Sequence, residues 1–194
     1  MLRSLLRAFA AFVCLVPFAV AAQVTLHGVK FDENVAIGSN KLLLNGAGTR
    51  YKGPFKVYAA GLYVGKKAAT TEELLAQSGA KRMTVVMLRD IDAGELGKLF
   101  IRGVEDNMER AAMSKLIPGL MRMSQIFTEH KKLESGQHFT IDWIPGTGTV
   151  VSVRGVPQGE PFKEPEFFNA LMRIWLGPVP ADWRLKDSLL GKPA

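Results

Sequence analysis

Three residues are candidates for binding or catalysis: Arg50, Tyr58 and Asn107. Arg50 lies between a glycine-rich turn, Gly46-Ala47-Gly48, and an apolar strand that begins at Phe55. Turned inward, it requires an anion, because an uncompensated buried guanidinium is strongly destabilising. A carboxylate or phenolate suits its bidentate fork. Turned outward, it is an edge charge or a partner for a helix carbonyl. Tyr58, on the neighbouring strand, offers a phenolic hydroxyl or simply packs in the sheet. Asn107 falls on an inward helical stripe between Val104 and Ala111. A buried amide without partners costs about 1–3 kcal/mol, so it binds either a ligand or a neighbouring backbone. Ala59, Ala60 and Gly61 remove bulk beside Tyr58, which leaves room for a ligand or for a helix to pack closely.

Other chemistries fail on spacing. Tyr51 stands where a GxGxxG phosphate loop needs its third glycine, and no P-loop lysine follows. His27, His130 and His138 have no metal-binding spacing, and no GxSxG surrounds a serine. Met113, Met121 and Met123 read as core filler. Basic residues alternate with acids and form no aromatic-basic stripe, which argues against nucleic acid. No cofactor or metal is implied.

Periodicity predicts the strands and helices that carry these residues. Val24 to Ile37 is strand material around a turn at Asp32-Glu33-Asn34. Lys41 to Asn45 reads as a strand ending at the glycine turn. Phe55 to Val64 is the next strand, after Gly53-Pro54. Thr70/Thr71 with Glu72-Glu73 caps a short helix ending near Gly79, and Lys81 to Arg89 is a β-branched strand. Asp92 to Met113 reads as one helix, with Leu96, Leu99, Phe100, Gly103, Val104, Asn107 and Ala111 on one face. A second runs from Ile117 to His130, with Pro118 in its first turn. His138–Ile144 and Thr149–Arg154 form a hairpin. A third helix opens at Glu164-Pro165-Glu166 and stops at Gly177-Pro178. A last short one spans Asp182 to Leu190. Strands first and longer helices later predict an α+β fold, an antiparallel sheet covered on one face by helices.

Residues 1–22 read as a cleavable signal peptide: Arg3 and Arg7, then an uncharged run from Ala8 to Val20, then small residues at Ala19 and Ala21. Pro17 and the short apolar run argue against a retained anchor. Removing this segment takes away Arg3, Arg7 and the single cysteine, Cys14, lowering the net charge from +7 to +5. Residues 23–194 then form one exported domain, with no further apolar run long enough to span a bilayer. Its stability must come from its core rather than from disulfides. With 47% hydrophobic and 22% charged residues, a disordered chain is excluded. The periplasm is the expected location.

Asn45-Gly46-Ala47-Gly48-Thr49-Arg50, followed by Lys56-Val57-Tyr58-Ala59-Ala60-Gly61-Leu62-Tyr63, resembles the opening motif of the chalcone isomerase-like family. Val104-Glu105-Asp106-Asn107 resembles its helical motif, and Asn169 to Gly177 with Leu185 to Leu190 resembles its C-terminal helices. The resemblance implies an open-faced β-sandwich, a large antiparallel sheet with a helical layer that holds a cleft. It also implies that Arg50 matches the arginine that holds a phenolate in the enzymes, and that Asn107 matches a substrate-positioning asparagine.

Three other positions depart: a strand threonine is Tyr58 here, a helical tyrosine is Phe100, and a late hydroxyl residue is Phe168. Neither phenylalanine can donate a hydrogen bond. Losing one such donor typically removes about 2.7–4 kcal/mol of transition-state stabilisation.

The expected function is therefore non-catalytic binding of a fatty acid or similar acidic lipid. Arg50 and Tyr58 would hold the carboxylate, Asn107 would assist, and Phe100, Val104 and Phe168 would line the tail region. An intramolecular lyase or isomerase using Arg50 and Asn107 is the alternative, and a ligand-free structural protein is a third.

Overall fold

The computed structural model describes residues 23–192. The signal segment expected at residues 1–22 lies outside the described residues.

Period-two alternation builds most of the molecule. β1 (Gln23–Leu26) and β2 (Val29–Asp32) form a separate hairpin. β3 (Asn34–Ile37), β4 (Asn40–Lys52) and β5 (Phe55–Val64) follow as an antiparallel meander. α1 (Thr71–Ala76) starts where the side chain of Thr70 accepts from the Glu73 amide. β6 (Lys81–Met87) pairs with β5. β7 (Ile91–Asp92) leads into α2 (Ala93–Glu105) and α3 (Arg110–Thr128), and β8 (Lys132–Leu133) returns beside β7. β9 (His138–Ile144), β10 (Gly148–Val153) and β11 (Val156–Pro157) extend the sheet. α4 (Pro165–Leu176) and α5 (Trp183–Leu189) close the chain. The seven-stranded sheet has the order β11-β10-β9-β6-β5-β4-β3, and every neighbouring pair is antiparallel. This is the expected α+β architecture.

Its two faces are unequal. Tyr58, Ala60, Leu62 and Val64 of β5, with Met83, Val85 and Met87 of β6 and Phe139 and Ile141 of β9, meet the helices. Phe100 and Val104 of α2, Leu120, Met123 and Phe127 of α3, and Leu171 and Trp175 of α4 complete that core. The other face carries a smaller cluster of Phe31, Ile37, Leu42, Leu44, Ala59, Tyr63 and Ala80, covered by the β1–β2 hairpin. A Cβ on Gly61 would lie 2.5 Å from the Phe31 ring. That glycine therefore admits Phe31 on the face away from the helices; it does not make room for a ligand.

The glycine turn expected at residues 46–48 is instead the middle of β4. Asn45 sits where the β4–β5 register shifts between Leu44 and Gly46. Its amide donates to the carbonyls of Ala68 (3.0 Å) and Leu189 (2.7 Å), and its oxygen accepts from the Ala68 amide (2.7 Å). Beyond this bulge, Gly46, Gly48 and Arg50 pair with Leu62, Ala60 and Tyr58, so all three share the helix-covered face. A Cβ on Gly46 would collide with the Ser188 carbonyl, and one on Gly48 would lie 2.7 Å from the Ser188 Cβ. The glycines are there because α5 lies directly on the strand. Arg50, two residues further along, emerges past that contact.

The single helix expected from Asp92 to Met113 is broken after Glu105, and Pro118 lies inside α3 rather than in its first turn. Asn107 explains the break. Its amide donates to the Gly103 carbonyl at 2.9 Å and to the Val179 carbonyl at 2.8 Å, and its oxygen accepts from the Val179 amide at 2.9 Å. A side chain that bonds the preceding turn competes with the helical ladder.

Candidate functional site

Between the helix-side end of β4–β5 and helices α2 and α4 lies a cleft of about 410 Å³, within the usual range for small-molecule sites. Arg50, Tyr58, Leu96, Leu99, Phe100, Phe139, Ile174 and Trp175 form its inner wall. Tyr51, Lys52, Arg102, Asp106 and the segment Val179–Ala181 also line it.

The register of β4 and β5 sets the polar end. Arg50 and Tyr58 are directly opposed, and the Arg50 guanidinium carbon lies 5.5 Å from the Tyr58 ring centre. Another register shift falls between Arg50 and Tyr51, and such bulges re-aim side chains. The Arg50 Nε is buried and has no hydrogen-bond partner, and no carboxylate forms an ion pair with this arginine among the described residues.

Tyr58 is 3% exposed, and its hydroxyl oxygen accepts from the Trp175 indole N–H at 2.8 Å. Burial pushes its phenol above the ordinary value, while the Arg50 charge and the Trp175 hydrogen bond pull it down. The phenol remains protonated at neutral pH, with its proton available for donation. Arg50 and Tyr58 thus present donors to the cleft, the arrangement that receives an anion.

The apolar end is aromatic. Phe100 lies 5.8 Å from Phe139 and 6.0 Å from Trp175, both edge-on, and stacks on Phe127 at 5.1 Å. Two acids stand near the mouth, and both are engaged. Asp106 is 3.9 Å from Arg102. Asp182 caps α5 through the amides of Arg184 and Leu185 and also accepts from the Tyr51 amide at 2.9 Å. No histidine lines the cleft, and no group of three or more potential metal ligands converges among the described residues.

Of the six residues singled out from sequence, Arg50, Tyr58 and Phe100 meet in this cleft. The other three do not line it. Val104 is fully buried in the helix–sheet core. Phe168 packs against Trp143 and the Lys81 ammonium. Asn107 uses its amide to tie the end of α2 to the loop after α4, so it shapes the cleft by holding Val179. Val104 shares a face of α2 with Phe100 but sits one turn further along the axis, away from the cleft, while Asn107 lies past the end of α2 and Phe168 belongs to the first turn of α4.

Trp175, Phe139, Ile174, Leu96 and Leu99 were not legible as site residues. Trp175 gave one usable signal, since a buried indole N–H needs an acceptor, but that acceptor is 117 residues away in sequence.

A family model described as chalcone isomerase-like matches residues 23–191. No curated protein matches the chain. Among solved structures, a fatty-acid binding protein of Arabidopsis thaliana superposes with a TM-score of 0.65 at 18% identity, covering 87% of this chain and 96% of that one. At that identity the likeness concerns the fold. The match over nearly all of the described sequence, a range that includes the β4–β5 pair opposing Arg50 to Tyr58, makes this chain a member of the chalcone isomerase-like family.

Proposed function

We propose that this protein is an exported, non-catalytic binder of a fatty acid or similar acidic lipid. One observation carries the reading: an arginine without an ion-pair partner among the described residues, its Nε buried and unbonded, faces a buried tyrosine at the end of an aromatic cleft. A guest carboxylate satisfies the guanidinium and takes the Tyr58 proton as a hydrogen bond. The alkyl chain lies against Phe100, Phe139, Leu96, Leu99 and Ile174. The structural neighbour's description as a fatty-acid binding protein supports the same ligand class. The leader at residues 1–22 supports export, with the periplasm as destination.

The test is titration of delipidated protein with a long-chain fatty acid. Arg50→Ala removes charge-assisted hydrogen bonds worth about 1.5–3 kcal/mol, so affinity should fall at least about tenfold. Equal binding by the variant refutes the role of Arg50. Sequencing the N-terminus of protein from the exported fraction tests the leader.

The retained Arg50, joined by a phenol donor, keeps a second reading open: an intramolecular lyase or isomerase that stabilises a phenolate or enolate. Asn107, already bonded through both sides of its amide, opposes it. Ring closure of a hydroxychalcone above the spontaneous rate, abolished by Arg50→Ala, would decide in its favour.

A further inference from the structure

We propose that the mouth of the cleft is a docking face for an anionic lipid bilayer, from which the ligand enters or to which it is delivered. The proposal rests on the lipid-binding reading above and names the partner of that site.

Several large apolar side chains remain exposed around this mouth. Tyr51 (37% exposed) and Val179 (55%) line the cleft itself. Phe55 (60%) pairs with Lys52 across the β4–β5 turn. Trp183 (59%) follows Asp182, whose carboxylate holds the Tyr51 amide. Two separate segments, the β4–β5 turn and the start of α5, are thus tied together with their aromatic residues in water.

Positive charge is interleaved with these rings. Lys52 and Arg102 line the mouth. The Arg89 guanidinium lies 5.5 Å from the Phe55 ring centre; the half-buried Lys186 ammonium lies 5.0 Å from that of Trp183 and donates to the Gly177 carbonyl at 2.8 Å. Arg184 is exposed beside Trp183. The acids at the mouth, Asp106 and Asp182, are engaged as described. Asp90, Asp92 and Glu95 line a smaller hollow of about 170 Å³ together with Arg50, Lys52 and Arg89. There Asp90 faces Lys132 and accepts from the Ser135 amide, Asp92 caps α2, and Glu95 is exposed.

Tryptophan, tyrosine and phenylalanine among lysine and arginine is the composition that settles at a bilayer interface: the rings enter the headgroup layer while the cations meet lipid phosphates. Charge complementarity therefore selects an anionic membrane. Continuity with an apolar cleft supplies a route by which an alkyl chain moves between bilayer and protein without crossing water.

The experiment compares the full chain with Phe55→Ser/Trp183→Ser and with Arg89→Glu/Arg184→Glu. None of these four residues lines the cleft. The probes are vesicles of equal parts phosphatidylcholine and phosphatidylglycerol, vesicles of phosphatidylcholine alone, and mixed vesicles whose phosphatidylcholine is brominated.

The wild type should sediment with the anionic vesicles, weaken with added salt, and show tryptophan quenching by the brominated lipid. Each double variant should lose about tenfold or more in vesicle affinity. Both should still bind a soluble fatty acid in the absence of vesicles. Vesicle binding unchanged by both variants, or equal on neutral vesicles, overturns the proposal. So does concentration-dependent self-association that Phe55→Ser/Trp183→Ser abolishes without any vesicle effect, since the face would then be a protein interface. Failure of the wild type to bind fatty acid in solution, with vesicle docking intact, would instead overturn the cleft assignment and leave the docking face standing.

Discussion

Replacing Asn107 separates a ligand-contacting role from a structural one. The structure gives its amide three hydrogen bonds: to the Gly103 carbonyl, and to both the carbonyl and the amide of Val179. Asn107→Ala removes all three. At about 0.5–1.5 kcal/mol net for each bond, discounted because the Val179 pair is solvent-accessible, the loss is about 2 kcal/mol. For a chain of this size that corresponds to a melting temperature lower by roughly 4–8 °C.

Asn107→Asp should be worse near neutral pH. It sets a carboxylate oxygen against two carbonyl oxygens that both need a donor, and acid should relieve part of that penalty by protonating it. Thermal unfolding followed by circular dichroism, together with fatty-acid titration at a temperature where both proteins are folded, gives the two readouts. Stability should fall for both variants, while affinity changes only modestly through the displaced Val179. An unchanged melting temperature combined with loss of ligand binding would refute the structural assignment and restore Asn107 to the site.

Three further outcomes follow from packing and charge. Gly46→Ala drives a Cβ into the Ser188 carbonyl of α5. It should cost about 1–3 kcal/mol by overpacking, visible in chemical denaturation, and a neutral result would mean α5 does not lie on β4 as described. Asp142 and Arg82 are cross-strand partners joined by two hydrogen bonds of 2.7 and 2.6 Å. Asp142→Leu alone should cost about 3 kcal/mol, whereas Arg82→Met/Asp142→Leu should recover most of it; a double variant as unstable as the single one would contradict this. Lys81 is 2% exposed, bonded to the Gln77 carbonyl, and lowered by burial to about 8. Because the unfolded chain holds that proton up to its ordinary value near 10.5, stability should rise between pH 8 and about 10. Lys81→Met should flatten that rise in melting curves, and an unchanged slope would show that Lys81 is not its source.

The strand and helix inventory was legible because it rests on local periodicity. β5, the β9–β10 hairpin and α4 lie where alternation and the Pro and Gly stops put them. So was the pairing of an arginine with a tyrosine, since both follow from one motif. The errors came where a residue answers to something distant in the chain. Gly46 and Gly48 read as a turn because glycine usually marks one, yet their reason is α5, whose Ser188 lies 140 positions beyond Gly48. Asn107 read as part of a helix because its spacing fits, yet its oxygen and amide belong to Val179.

The α+β class, the extent of β5 and the candidate cation at Arg50 could be read from the residues alone, because side-chain period and residue type are local properties. Which side chains share the cleft with that cation depends on long-range packing. Phe139, Ile174 and Trp175 line the same cleft from β9 and α4, elements that local pattern cannot bring together, and their convergence follows from sheet order and the packing of α4 on the sheet.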